Sequence, residues 1–213
     1  MTVGMMPLMG FVPPPSPALA PEAVKALYLD HSIGIRLGAM SMMFGAMCFL
    51  VFLVPISAVI YKINRSLWPL AIVQLLSGAF GTFPFITGAA SLQVAAFRPD
   101  RDAYAIQAFS DMGWFYLIMT AMTIVPQFIA MAVAALRDKS SPPLFPRWLG
   151  YFNLWLALLF QPAVLAPLFQ TGPFAWNGLL SFWIPFGIFF IWYLVMVPTL
   201  LRALKHPAFA EEA

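Results

Sequence analysis

Five long apolar runs, separated by short linkers, constrain what this chain can fold into more than any other feature. They cover residues 34–61, 67–92, 112–136, 149–169 and 175–201. A helix needs roughly 20 residues to cross a hydrocarbon core about 30 Å thick, and each run is long enough. Within lipid the backbone must satisfy its own hydrogen bonds, which leaves helices or closed barrels. The runs are continuous rather than alternating, so barrel strands are excluded. Composition agrees: 62% of the 213 residues are hydrophobic and 9% are charged, against roughly 25% charged in a soluble domain. Too little charge is present to coat a water-soluble surface. The expected fold is an all-α integral membrane bundle of about five transmembrane helices, preceded by a Pro-rich N-terminal arm and a short interfacial helix.

The domain boundaries follow from the linkers. Residues 1–20 form the arm, because Pro13-Pro14-Pro15 cannot be helical. Ala18-Leu19-Ala20 has the look of a signal-peptidase site, but no Lys or Arg precedes Lys25, and Pro21 would follow the cut. The arm is therefore expected to be retained. Residues 21–33 read as the interfacial helix: Pro21 and Glu22 suit a first turn, and Val24, Leu27, Tyr28 and Ile33 alternate with polar positions. The alternative is an extension of the first span. Residues 34–204 make the transmembrane domain and 205–213 the C-terminal tail.

Cation placement predicts orientation. Lys62 and Arg65 lie in the first linker, Arg137, Lys139 and Arg147 in or beside the third, and Arg202 and Lys205 at the C-terminal end. With five spans these regions share one face, which is read as cytoplasmic. The arm, the Arg98/Arg101 linker and the uncharged fourth linker share the other. The N-terminus is then outside and the C-terminus inside. A formal net charge of +3 with dispersed cations excludes a nucleic-acid face. The single Cys48 excludes an intrachain disulfide.

Counting also removes several chemistries. No lysine lies within a span, as a retinal Schiff base requires, and His31 and His206 are too few and too far apart for a bis-histidine haem. No phosphate-binding loop, dinucleotide fingerprint or zinc-protease motif is present. No catalytic residue, metal ligand or cofactor is assigned. The candidate ligand-binding residues are Arg36, Asp111, Met40, Met43, Gln74, Thr82 and Gln127. Arg36 near the start of the first span and Asp111 opening the third would pair at the outer face, since unpaired charge at such depth is costly; snorkelling to the headgroups is the alternative. Met40, Met43 and Met47 share one helical face, a soft wall for packing or a hydrophobic ligand. Gln74, Thr82 and Gln127 are the polar points of a sparse seam that otherwise repairs proline breaks. Every span holds an internal proline, including Pro55, Pro84, Pro126, Pro162 and Pro185, read as kinks.

Phe145-Pro146-Arg147-Trp148-Leu149-Gly150-Tyr151 and Gly172-Pro173-Phe174-Ala175-Trp176-Asn177-Gly178, with Gly10-Phe11-Val12-Pro13-Pro14-Pro15 and Ala95-Ala96-Phe97-Arg98-Pro99, resemble a family of small bacterial membrane proteins of uncharacterised activity. The resemblance covers nearly the whole chain. It implies a bacterial inner-membrane location and assigns no site residue. From the residues themselves, the expected function is binding or passing a small, largely apolar molecule through a kinked-helix cavity open to the outer face. The alternatives are an accessory or assembly subunit of a larger membrane complex and, third, a membrane enzyme. The partners implied are the lipid bilayer, a small hydrophobic ligand, and further copies or other subunits.

Overall fold

The computed structural model describes residues 8–210, without the side chains of Ala208 and Ala210. Among these residues the secondary structure is helical, with no strand. Helix α1 is Pro21–Asp30 and α2 is Ser32–Ile63; a single 3-10 turn, Arg65–Leu67, leads into α3 (Trp68–Phe80) and α4 (Phe83–Phe97). Then come α5 (Ala103–Met119), a 3-10 segment Thr120–Ile124 and α6 (Val125–Arg137). Helix α7 is Arg147–Leu159, followed by a 3-10 segment Gln161–Leu168; a π-turn, Leu179–Trp183, precedes α8 (Ile184–Leu204) and the short α9 (Pro207–Ala210).

Five segments are long and apolar enough to cross a membrane: Ser32–Ile63, Arg65–Phe97, Ala103–Arg137, Arg147–Leu168 and Leu179–Leu204. Large apolar side chains stand on their outer surfaces, with Leu168 73% and Val51 71% exposed, as lipid contact requires. The chain is a multi-pass, all-α integral membrane protein. The third span starts earlier than its apolar run suggests, because Asp102 caps α5 by accepting from the Tyr104 and Ala105 amides at 3.0 and 3.3 Å. Asp111 therefore lies more than two turns inside the helix and does not open it.

The prolines do more than kink. Pro84 and Pro126 each stand in the first turn of a new helix, where a missing amide is harmless. The second span is thus two helices joined at Gly81-Thr82, and the third passes through a 3-10 turn. Among the described residues only Pro55 and Pro198 sit inside continuous α-helices, α2 and α8.

The chain divides into two compact units and changes unit partway along every span. Unit 1 takes the chain through Phe49, then Gly81–Met122 and Pro162–Trp183. In it α4 and α5 touch through Gly88 and Gly113: a Cβ on Gly88 would stand 3.0 Å from the Gly113 carbonyl oxygen. The N-terminal segment is packed into this unit. Met9 and Phe11 are buried, and the Phe11 ring lies 5.6 Å from both Tyr28 and Trp114. Gln107 Nε2 donates to the Leu19 carbonyl at 3.0 Å, Trp176 Nε1 to Pro15 at 2.9 Å and Lys25 Nζ to Arg101 at 2.8 Å. Within unit 1 the arm therefore meets α5 and the fourth linker, and α1 meets the second linker.

Unit 2 takes Leu50–Phe80, Thr123–Gln161 and the chain from Ile184 onward. Its α6 presents buried Ala132 and Ala135, and α7 comes so close that a Cβ on Gly150 would stand 3.1 Å from the Ala132 oxygen. Helices α7 and α8 are joined by Trp192 Nε1 donating to Asn153 Oδ1 at 3.2 Å. Phe189 stacks on Trp192 at 5.8 Å, and Phe128 packs against Phe160. Lys62 lies over the Phe209 ring at 5.6 Å, so the first linker meets the C-terminal end in this unit.

Candidate functional site

The seven candidate residues are divided between the two units. Arg36, Met40, Met43, Thr82 and Asp111 belong to unit 1, Gln74 and Gln127 to unit 2. Arg36 and Asp111 are half-buried, and among the described residues neither takes an ion-pair partner. The expected Arg36–Asp111 bridge is absent among the described residues. Asp111 instead acts on Tyr28 of α1. Burial holds the Tyr28 hydroxyl above the usual tyrosine range; its bond to Ser110 Oγ at 3.0 Å opposes this, and the Asp111 carboxylate adds to it. Met40 is 60% exposed while Met42 is buried, so Met40 faces away from the unit 1 interior. Met43 is half-buried and accepts a weak bond from Gln93 Nε2 at 3.8 Å. Thr82 is buried at the turn that starts α4.

Gln74 and Gln127 stand in a different setting. Both are fully buried, and α2, α3 and α6 meet around them. Ser57 of α2 donates to Gln74 Oε1, and the same hydroxyl lies 2.9 Å from the Ala71 carbonyl. Ser77 of α3 donates to the Thr123 carbonyl at 2.6 Å and accepts the Gln127 amide N–H at 3.0 Å. The latter bond satisfies a donor that the first turn of α6 would otherwise leave orphaned. Gly78 makes room for the glutamine: a Cβ there would collide with Gln127 Oε1 and stand 2.7 Å from both Leu53 methyls.

The side-chain amides themselves are not satisfied. Gln74 Nε2, Thr123 Oγ1 and both Gln127 Nε2 and Oε1 are buried without a hydrogen-bond partner. Turning the Gln127 amide over exchanges one unpaired atom for the other, so the choice of rotamer does not remove the deficit. Each such group carries an uncompensated desolvation of about 1–3 kcal/mol, and in hydrocarbon no bulk water relieves it. Chemically the cluster offers two amide NH2 groups, with four N–H donors between them, a carbonyl acceptor and a hydroxyl, all neutral. It can hold a carbonyl, hydroxyl or ether oxygen; it cannot move a proton as a general acid or base. Among the described residues no three His, Cys, Asp or Glu side chains group to hold a metal ion.

Ser57, Ser77 and Thr123 went unmarked in the sequence reading. A signal existed for one of them: Gln74 and Ser77 are three apart on α3, which puts them on one face. Trp114 Nε1 in unit 1 is likewise buried and unpartnered, between the rings of Phe11 and Phe182. Compared with family models, curated proteins and solved structures, the chain matches none.

Proposed function

We propose that this integral membrane protein binds or passes a small, largely apolar molecule carrying one or two polar atoms, and that the buried amides of Gln74 and Gln127 hold those polar atoms. The observation that carries the reading is the Gln127 side chain, fully buried with both amide atoms unpaired. Native proteins rarely tolerate such a group without a role for it. Apolar walls with a few convergent polar groups are the usual make-up of a ligand site. The helix breaks at Pro84 and Pro126 support it further, because they leave α3 and α6 free to set their own tilt near the cluster.

The test is native mass spectrometry of the protein purified in mild detergent, beside its melting temperature. Wild type is expected to carry a neutral adduct below about 1 kDa, a size set by pockets of roughly 300–1,000 Å³. Gln127→Leu is expected to lose it while stabilising the ligand-free protein by about 1–3 kcal/mol, since an apolar group of similar volume removes the unmet desolvation. An adduct retained by Gln127→Leu, or a Gln127→Leu protein that melts lower and never carried an adduct, would assign the amide to packing.

The same reading places the protein in a bacterial inner membrane with its C-terminus inside. The meeting of the first linker and the C-terminal end in unit 2 supports the parity, and the cations on those segments support the direction. A cytoplasm-active reporter fused at the C-terminus is expected to be active and a periplasm-active one silent. The reverse pattern would invert the topology.

A further inference from the structure

Unit 2 holds a second feature, independent of the amide cluster, where the first and third linkers come together. An open groove of about 650 Å³ is lined by the polar residues Asn64, Ser66, Arg137, Lys139 and Ser140 and by the apolar Ile63, Leu67 and Leu136. Both cations are exposed, and among the described residues neither takes a protein partner. The one carboxylate of this linker is otherwise engaged. Asp138 is buried, and its two oxygens accept the backbone amides of Ser140 and Phe145, each at 2.8 Å. It holds the linker in shape and makes no ion pair with Arg137 or Lys139 among the described residues.

The chemistry of such a groove is specific. Two unpaired cations with hydroxyls beside them suit a phosphate group, with the guanidinium as a planar, multidentate donor. The groove also sits where three spans end, at Ile63, Arg65 and Arg137, so its apolar lining residues belong to the membrane-crossing segments. A free anion has no use for those apolar residues; an anionic phospholipid uses both kinds of lining, headgroup on the cations and glycerol–acyl stem along Ile63 and Leu136. Basic pockets between helix ends at the cytoplasmic side are how membrane proteins retain anionic lipids. We infer that this groove is a binding site for the phosphate headgroup of an anionic phospholipid.

The full chain is purified in detergent and titrated with phosphatidylglycerol, phosphatidylcholine and inorganic phosphate, with bound species read by native mass spectrometry. Phosphatidylglycerol is expected to bind in preference to phosphatidylcholine. At roughly fivefold per cation, Arg137→Gln with Lys139→Gln should reduce that preference by about 30-fold, while Arg202→Gln, a cation outside the groove, should leave it within about twofold. If the double variant fails to fold, wild type decides: the preference should fall steeply between about 0.05 and 0.5 M salt. Four results would overturn the inference: equal retention of the two lipids, a preference indifferent to salt, a preference that survives the double substitution, or inorganic phosphate excluding lipid at equal concentration. The last would make the groove a free-phosphate site.

Discussion

Replacing Phe11 with Ala is expected to destabilise the protein by about 3–5 kcal/mol, the range for emptying a buried aromatic site. The residue lies in the Pro-rich segment before α1 and outside any helix, yet it is 1% exposed and its ring packs against Tyr28 and Trp114. Its neighbours cannot collapse into the space. Tyr28 is tied to Ser110, and Trp114 is held by Phe182 at 6.3 Å. Phe44→Ala is the matched control, because Phe44 is 67% exposed on α2 and its ring exchanges protein contact for lipid contact. The measurement is thermal unfolding in one detergent followed by tryptophan emission, to which Trp114 reports directly. A Phe11→Ala protein that melts with the Phe44→Ala control would mean the segment lies on unit 1 without holding it together.

That expectation could not be drawn from the sequence, and the reason is physical. Hydrophobic periodicity marks buried faces only where the backbone repeats, and Met9 and Phe11 stand in a segment without a repeat. The spans pose the converse problem. Their runs are apolar on every face, so Met40, Met43 and Met47 look like a wall, but nothing in the pattern separates lipid from core; Met42, between them, is the buried one. Span number and helical class were legible because they rest on run length, which lipid enforces strictly. The polar positions were legible for the same reason. An amide amid leucines is conspicuous, and Gln74 and Gln127 are both buried. What three-dimensional packing alone reveals is their shared neighbourhood through Ser57, Ser77 and Gly78, and the failure of Arg36 to find Asp111. The depth of Asp111 depended on Asp102, a cap nine positions earlier in a charged linker that counts against a span when only hydropathy is weighed.

Gly78→Val should have the second-largest effect, a loss near the upper end of about 1–3 kcal/mol, the range for overpacking a filled core. At Gly78 of α3, side chains of α2 and α6 press close: a single added Cβ collides with Gln127 Oε1 and stands 2.7 Å from both Leu53 methyls. Both obstacles are ends of flexible side chains, so in open surroundings they would swing aside. Here both residues are fully buried, and each must displace further packing to move. The choice of which gives way distinguishes packing from function. If the cleft between α3 and α6 is shaped around the Gln127 amide, shortening that side chain should relieve the clash, and Gly78→Val with Gln127→Ala should lose clearly less than the sum of the single losses, a coupling of about 0.5–3 kcal/mol. If Leu53 yields instead, the two losses add and Gln127 keeps its place. Melting temperatures of the four proteins in one detergent measure the coupling. Additive losses would move the contact from the amide to Leu53 and would weaken the case that Gly78 exists to seat Gln127, while leaving the unpaired amide itself to be tested by its own substitution.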